Sequence, residues 1–562
     1  MHRSTGVTYF MVWLATLCQY RDMSQVGSTS TRWAIALATI GLLAVLGIAC
    51  QPQSDASELP LRRAIPADPQ TLDPHRAEGT ASATVLMDLY EGLVKEDPSG
   101  KVVAGAAERW TISEDGLMYT FYLRDNLRWS NGDALLAEDF AAGLRRTIDP
   151  QTASAYAPLL RPIRNAESVA AGERPVKDAA IEAIDARTLR VGLEQPTPFF
   201  LGLLTHWATF PLHRPSFEAH GTAFVRPEHS ITNGAYTLRA QRVGDRISLD
   251  KNANYWNAAN VSIKQVEFLP LEDASTELRL FEAGELDITS STPANQFQAL
   301  QATYGDQLHV TPNLSVYFMV FDLSEPPFSD IRVREALTIA LDRDALTKSV
   351  LASGQAGAWG LVPPGIANHD SFSYAWREWP REKQLEYARA QLAAAGYDAA
   401  STPKATLLYN TGDTHQKIAI ALQGMARDAL GIQLDIINQE FKVMLDNRDK
   451  RDQWDLMRLG WTGDYNDADT FLSLFRSGHP QNFAGYDNAD FDALLDQAAG
   501  TVDMSERSIL MQTAEKMVME DYPVLPMYFY VSRHLVSKRV EDFSATPMNR
   551  TYSAHLSLAE LP

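Results

Sequence analysis

The stretch WTGDYNDADTFLSLF, residues 461–475, places three aspartates and an asparagine among aromatic residues, without a lysine or arginine to neutralise them. The preceding stretch QWDLMRLGW, residues 453–461, alternates as a strand does and sets Arg458 between the apolar Met457 and Leu459. An arginine and an aspartate at the end of one buried strand, framed by aromatic side chains, have the composition of a ligand pocket. The alternative interpretation is a solvated acidic turn, because charged side chains are mostly exposed.

The acidic run does not match a calcium-binding loop. Counted from Asp464, the fifth residue is Ala468, the sixth is not glycine, and the twelfth is Phe475 instead of glutamate. The chain also lacks the GxSxG, HExxH, GxxxxGK[ST] and GxGxxG patterns of hydrolases, zinc sites and nucleotide sites. His206 and His213 do not have the spacing of metal ligands. We expect no catalytic residue, no metal and no cofactor, and an exported hydrolase is the less favoured alternative.

The overall composition is that of a globular protein. The 562 residues are 45% hydrophobic and 21% charged, and this length allows two to four domains at about 100 to 200 residues each. A formal net charge of −20 repels phosphate backbones, so we expect no nucleic-acid partner.

The N-terminal region carries one long apolar run, RWAIALATIGLLAVLGIAC, from Arg32 to Cys50. A basic residue, an apolar core and small residues before a cysteine predict an export signal over residues 1–49, with a true start at Met23 and lipidation of Cys50. An uncleaved membrane anchor is the alternative, although the run is short for a span of about 20 residues. Either interpretation places the rest outside the cytoplasm, tethered through residues 50–60.

The residues around Cys50 also indicate the compartment. The signal resembles those of bacterial lipoproteins, and Gln51 directly after the cysteine favours an outer-membrane destination in a Gram-negative envelope. The remaining cysteine is Cys18, upstream of the cleavage site, so the mature domain contains no cysteine pair. We expect a periplasmic, membrane-anchored lipoprotein.

Beyond residue 61, short strands separated by turns alternate with helices, which predicts an α/β fold. The stretches KATLLYNTGD and IQLDIINQE are two of the expected strands. One helix is expected from Glu382 to Ala395 and ends at Gly396. Another is expected to begin after Asp330, which serves as its N-cap.

Eight motifs follow one another along this region. They are LDPHRAEGTASA (72–83), LYEGL (89–93), AERWTISEDGLMYTFYLRDNLRWSNG (107–132), TNGAYTL (232–238), NYWN (254–257), AGELD (283–287), PFSDIRVREAL (327–337) and GWTGDYNDADTFL (460–472). In sequence and order they resemble the oligopeptide-binding proteins of bacterial ABC importers, which are family 5 extracellular solute-binding proteins. The resemblance extends from about residue 61 to the C-terminus.

The resemblance implies an α/β clamshell of the type II-like periplasmic binding protein class, with three domains and a two-strand hinge. The implied boundaries are residues 61–91, 212–314 and 531–562 for domain I, 92–211 for domain II and 315–530 for domain III. Closure about the hinge would bury a ligand between domains I and III.

The resemblance also implies a set of ligand-binding residues. The carboxylate that pairs with a peptide's N-terminal ammonium falls on Asp464, and Arg458 would be a partner for a ligand carboxylate or a neighbouring acid. The other implied pocket-lining residues are Glu78, Tyr156, Phe441, Arg448, Gly460 and Trp461. Taken alone, the two aromatic residues Phe441 and Trp461 could instead belong to the core.

The implied function is a non-catalytic, monomeric receptor that captures short peptides and delivers them to the membrane subunits of an ABC importer. A receptor for murein peptides or another amine-bearing solute is the alternative. The sequence departs from relatives at Ser315 and Thr462, where some of them carry a disulfide, and at Asn313, which replaces a common tyrosine. It also departs at residues 287–293, where relatives often have tyrosine and asparagine and this chain is shorter and serine-rich. These departures concern peptide length and side-chain preference and leave the amine end unchanged.

Overall fold

The computed structural model describes residues 59–398, 400–451 and 453–559. The predicted export signal, the start at Met23, the lipidated Cys50 and all but the last two residues of the tether lie outside the described residues. Within the described part of the chain, no helix has both the length and the apolar character that a membrane crossing needs.

A six-stranded mixed sheet contains the strand that leads into the acidic run. In spatial order its strands are β12 (Ala356–Gly357), β16 (Val524–Leu535), β11 (Leu308–Phe321), β15 (Leu456–Thr462), β13 (Lys404–Asn410) and β14 (Gln433–Gln439). Strand β15 runs antiparallel to β11 and parallel to β13. Strands β13 and β14 are parallel and are joined by a helix, as a parallel crossover requires.

Two four-stranded sheets come mostly from the first half of the chain. One has the order β1 (Leu61–Ile65), β10 (Gln265–Pro270), β9 (Arg246–Lys251), β8 (Tyr236–Arg242), and the other has the order β4 (Ala107–Ile112), β5 (Met118–Leu123), β7 (Thr188–Gly192), β6 (Ile181–Ala183). Two further pairs are β2 (Val94–Glu96) with β3 (Val102–Ala104) and β17 (Val540–Glu541) with β18 (Ser557–Leu558). One continuous hydrophobic core contains residues of both four-stranded sheets, including Phe268 and Phe121.

The α-helices pack against these sheets. In chain order they are α1 (Gly79–Leu89), α2 (Ala137–Ile148), α3 (Ala166–Ala170), α4 (Phe200–Leu203), α5 (Arg214–His220), α6 (Ala274–Glu282), α7 (Phe297–Tyr304), α8 (Ile331–Ala340), α9 (Arg343–Ala345), α10 (Arg381–Ala394), α11 (Asp413–Leu430), α12 (Phe441–Lys450), α13 (Asp469–Leu472), α14 (Ala489–Gly500) and α15 (Met504–Glu520).

The helices and strands predicted from local pattern are confirmed. The stretches KATLLYN and QLDIINQ form β13 and β14. Asp330 caps α8, because its carboxylate accepts a hydrogen bond of 2.9 Å from the backbone N–H of Arg332. Helix α10 lies within one residue of the predicted bounds, and Gly396 follows it with a φ of +93°, a conformation that glycine adopts without strain.

Strands β11 and β16 pass from one hydrophobic core to another. Tyr317 pairs with Tyr528 inside a large core whose buried members run from residue 314 to 529. At the other end Leu308 pairs with Leu535 inside a separate small core. Two long paired strands between two cores are what a two-strand hinge requires. The three-domain boundaries stay a prediction.

Candidate ligand-binding site

Two cavities meet at the C-terminal end of β15. The first, of about 420 Å³, has Thr462 and Asp464 on one side and residues of α1 on the other. The second, of about 500 Å³, follows β15 back to Arg458. Both are lined by Thr80, Thr462, Met548 and Asn549, so they form one continuous cleft.

The three aspartates of the acidic run differ in their partners. Asp467 accepts two hydrogen bonds from the guanidinium of Arg507, at 2.7 and 2.8 Å, and both side chains are buried. Asp469 accepts a hydrogen bond of 2.8 Å from the hydroxyl of Tyr465. No donor among the described residues reaches the carboxylate of Asp464, whose backbone N–H donates to Thr470 Oγ1 at 3.2 Å. Asp464 is therefore the carboxylate that can receive a ligand.

The surroundings of Asp464 explain why the pKa of its carboxyl is raised. Its side chain is open to solvent in the cleft, yet the surrounding protein partly desolvates the carboxyl and raises its pKa above the ordinary value. A nearby cation would stabilise the ionised form, and the protein supplies none within ion-pair distance among its described residues.

The cations that line the first cavity are already paired. Arg63 lies 3.5 Å from the buried Asp88, and Arg550 lies 3.2 Å from the buried Glu96. Neither acid lines the cavity, whereas Asp464 does. The ligand therefore meets one uncompensated negative charge, and a cationic group is the complement of this cavity.

Arg458 occupies the other end of the cleft. Its guanidinium donates to Asn410 Oδ1 at 3.1 Å and to the hydroxyl of Tyr530 at 3.4 Å, and it lies over the ring of Tyr317 at 4.9 Å. No carboxylate of the described residues lies within 4.0 Å of it, and its Nε has no hydrogen-bond partner there. A cation with neutral neighbours can bind a carboxylate of the ligand.

His415 lies near this end of the site, beside Tyr317. It lies in the first turn of α11, and its Nδ1 is 3.3 Å from the hydroxyl of Tyr317. Burial, together with the charge of Arg458, lowers the pKa of His415 to about 4, so the imidazole is neutral at pH 7. The sequence analysis did not select His415, Asn410 or Tyr530, because they come together only through the sheet and α11.

One edge of β15 is open beside the cleft. Strand β13 pairs with β15 only at Leu456 and Met457. On the other side, the N–H of Gly463 donates to the backbone carbonyl of Leu314 on β11. Because hydrogen-bonded and non-hydrogen-bonded pairs alternate along an antiparallel ladder, the odd-numbered residues of β15 bond to β11. The backbone groups of Gly460 and Thr462 therefore point towards the open edge, where an extended ligand can add as a strand.

Tyr156 adjoins Asp464 in the first cavity. Burial raises its pKa, and the charges of Glu78 and Asp464 add to the effect, which places all three residues in one electrostatic neighbourhood. The tyrosine ring packs against His206 at 4.3 Å and Trp207 at 5.2 Å. These contacts form a rigid aromatic wall beside the free carboxylate.

The comparisons with known proteins establish the family of this chain. The model of the bacterial extracellular solute-binding proteins, family 5 Middle, matches residues 101–483. The chain belongs to this family. The periplasmic oligopeptide-binding protein OppA of Escherichia coli is 36% identical over 495 residues, which cover 87% of this chain and 91% of that protein.

Two solved structures show the family fold and a difference in conformation. The murein tripeptide binding protein MppA in an unliganded open form matches with a TM-score of 0.85 at 34% identity, over 90% of this chain and 98% of that chain. Haemophilus influenzae OppA in complex with the peptide RPPGFSPFR matches with a TM-score of 0.66 at 33% identity, over 89% and 98%. The predicted family and the type II-like clamshell fold are confirmed. By TM-score, this structure resembles the unliganded open form of MppA more closely than it resembles the peptide complex of OppA.

The predicted site residues are distributed unevenly along the cleft of this family 5 protein. Asp464 and Tyr156 line the first cavity, and Arg458, Gly460 and Trp461 line the second. Gly460 and Trp461 also line a third pocket of about 90 Å³ together with Arg448, whose guanidinium lies 4.2 Å from the ring centre of Phe483.

Two predicted residues lie outside the lining of these cavities. Glu78 is exposed directly before Gly79, a lining residue of the first cavity. Phe441 is the first residue of α12, and its side chain is 49% exposed. Their contact with a ligand stays a prediction.

The positions of the disulfide found in some relatives face each other here. Ser315 and Thr462 are directly opposite on β11 and β15, and their hydroxyl oxygens are 2.9 Å apart. A hydrogen bond thus joins the two strands at the positions where the resemblance implies a disulfide in some relatives. Ser315 and Thr462 are cross-strand neighbours, as the implied alignment requires, and the alignment itself stays a prediction.

Proposed function

We propose that this family 5 protein is a receptor that captures short peptides by their free N-terminus and delivers them to an ABC importer. The observation that carries the proposal is the carboxylate of Asp464, which has no donor among the described residues and lies in a cavity whose arginines are already paired. A peptide ammonium supplies the missing charge through a charge-assisted hydrogen bond, which contributes about 1.5 to 3 kcal/mol net.

The peptide main chain binds along the open edge of β15. Hydrogen bonds from the backbone groups of Gly460 and Thr462 do not depend on side-chain identity, so peptides of many sequences can bind. The four residue-to-residue steps from Arg458 to Thr462 span about 13 Å at roughly 3.3 Å each. A peptide of a few residues therefore reaches from Asp464 to Arg458, which binds its carboxylate.

Closure of the clamshell follows ligand binding. We propose domain I at 61–91, 212–314 and 531–562, domain II at 92–211 and domain III at 315–530, with β11 and β16 as the hinge. The similarity to an unliganded open form and the two separate cores at the ends of these strands support this division. The importer's membrane subunits would recognise the closed form.

The proposal extends to location and chemistry. The relatives reported above are named as periplasmic binding proteins, and we propose the same compartment here, with Cys50 lipidated and the protein monomeric. The protein releases its peptide unchanged and is not an enzyme. Support comes from the names of its family and of its E. coli relative, which describe the binding of solutes and oligopeptides and name no reaction.

Calorimetry with purified protein tests the function. A short peptide with a free N-terminus is expected to bind near the micromolar range, about −8 kcal/mol, and its N-acetylated form at least tenfold more weakly. Mass spectrometry after denaturation is expected to recover the peptide intact. Equal affinities for the two forms would refute amine pairing, and cleaved peptide would favour the hydrolase.

A murein peptide is the second candidate ligand. The unliganded open structure that this chain resembles is that of a murein tripeptide binding protein. Competition between a murein tripeptide and an ordinary tripeptide of the same length distinguishes the two candidates, because only a murein receptor prefers the former.

A further inference from the structure

The first cavity contains Gly463 and Asp464, which follow the end of β15 at Thr462, and it is also lined by α1 and by residues 288–291. The second cavity follows β15 from Thr462 to Arg458, and the first is the only one of the two that contains Asp464. If the ammonium binds Asp464 and the main chain follows β15, the main chain leaves the first cavity at Thr462. The volume beyond Asp464 then adjoins the Cα of the ligand's first residue.

Four of the hydroxyl groups that line this volume already have protein partners. The hydroxyl of Ser290 donates to Glu277 at 2.6 Å, and the hydroxyl of Thr289 accepts from the N–H of Leu535 at 2.8 Å. The hydroxyls of Thr84 and Thr551 donate to backbone carbonyls at 2.9 and 3.0 Å. Satisfied hydroxyls do not need a polar ligand group, so they leave the cavity free to take an apolar one.

Two further polar residues are also occupied. His534 makes hydrogen bonds of 2.8 Å to the carbonyl of Thr289 and 2.9 Å to the amide of Asn549. His206 Nδ1 accepts from the N–H of Ala208 at 3.1 Å, and burial holds the pKa of His206 well below its usual value. The imidazole of His206 is therefore neutral and does not compensate the charge of Asp464.

The remaining wall of the cavity is apolar. It is formed by Met87, Trp207, Ile288, Phe543 and Met548. Met87, Trp207 and Ile288 belong to, or are buried with, the core of the two four-stranded sheets, so this wall is held rigidly.

We infer that the first cavity binds the side chain of the ligand's first residue and selects a large apolar side chain, aromatic or leucine-like, over a small or acidic one. This inference rests on the proposed function, since it assumes that Asp464 holds the N-terminal ammonium. The cavity's 420 Å³ corresponds to about 14 waters at roughly 30 Å³ each. An alanine leaves the water that lies against the apolar wall in place, whereas a phenylalanine displaces part of it, which is favourable.

An acidic first side chain is rejected for an electrostatic reason. It would lie beside Asp464 and near Glu78, and the cations of the cavity are already neutralised by Asp88 and Glu96. Like charges in a partly desolvated site repel strongly.

Calorimetry with a peptide series X-Ala-Ala tests the inference, with X as alanine, leucine, phenylalanine or glutamate. Phenylalanine and leucine are expected to bind about tenfold more tightly than alanine, and glutamate about tenfold more weakly. Equal affinity across the series, with acetylation still abolishing binding, would overturn the inference while the proposed function stands. If no free-amine peptide binds, the proposed function itself fails.

A cavity-filling variant supplies the structural test. Ala83 lines the first cavity from α1, whereas Ala81 lies on the same helix outside the lining. Ala83→Leu is expected to lower the ratio of the Phe-Ala-Ala to the Ala-Ala-Ala association constant, and Ala81→Leu is expected to retain the wild-type ratio. Both changes alter helix propensity equally. An unchanged preference in Ala83→Leu would place the first side chain elsewhere.

Discussion

Two aspartates of the acidic run, Asp464 and Asp467, give a test of the ligand-binding role with a matched control. Asp464→Asn keeps the side chain's size but replaces a charge-assisted hydrogen bond to the ligand ammonium by a neutral one. Since no donor among residues 59–398, 400–451 and 453–559 reaches this carboxylate, the whole loss falls on ligand binding, about 1 to 3 kcal/mol or roughly 5- to 150-fold in Kd. The fold loses no contact, so the thermal midpoint of the unliganded protein is expected to stay the same or rise slightly.

Asp467→Asn is expected to have the opposite pattern. It leaves the guanidinium of Arg507, whose side chain is 5% exposed, without its bidentate partner. Breaking a buried ion pair from one side costs about 3 to 5 kcal/mol of stability. A large fall in thermal midpoint is therefore expected. Any loss of peptide affinity should follow from this unfolding and disappear at a temperature where the variant is folded.

Isothermal titration with one free-amine peptide and its acetylated form, together with thermal unfolding, measures both effects. The acetylated peptide should bind wild type and Asp464→Asn with similar affinity, because neither complex contains the ammonium pair. The reasoning would be refuted if Asp464→Asn bound the free-amine peptide as tightly as wild type, or if Asp467→Asn lost peptide affinity without losing stability.

The remaining predictions concern pH, strand pairing and helix packing. Because desolvation raises the pKa of Asp464 in the free protein, peptide affinity should fall as the pH drops through that raised pKa, whereas the affinity of Asp464→Asn should not change over the same range. The stability of the unliganded fold has the opposite dependence, because the small contribution of a carboxyl whose pKa is raised by folding is lost as the pH rises. Ser315→Cys with Thr462→Cys should oxidise to a disulfide detectable by thiol titration, because the residues face each other at a non-hydrogen-bonded pair with hydroxyl oxygens 2.9 Å apart. Gly143→Ala should lower the thermal midpoint although alanine favours helices, because the added Cβ would overlap a backbone carbonyl oxygen. Gly424→Ala, whose added Cβ would have no atom within 4 Å apart from its own helix and chain neighbours, should stabilise the fold by about 0.5 to 1 kcal/mol.

The sequence by itself determined the family, the α/β class and the stretch that holds the candidate site. These features depend on residues that are close together in the chain, so they can be predicted from the amino-acid sequence. Examples are the alternation of apolar residues in strands, the N-cap at Asp330 and the helix end at Gly396. The motifs that carry the resemblance are also continuous segments, so the sequence indicated Asp464 and Arg458 before any contact was known.

Only the tertiary structure decided which charge is free. Asp467 is neutralised by Arg507, 40 residues away, and the cavity's arginines by acids 25 and 454 residues away. The open edge of β15 depends on where β13 stops pairing, and His415 reaches Arg458 through the start of a helix from another part of the chain. Electrostatic and hydrogen-bond energies depend on distances of a few ångströms in space, which separation along the chain does not specify.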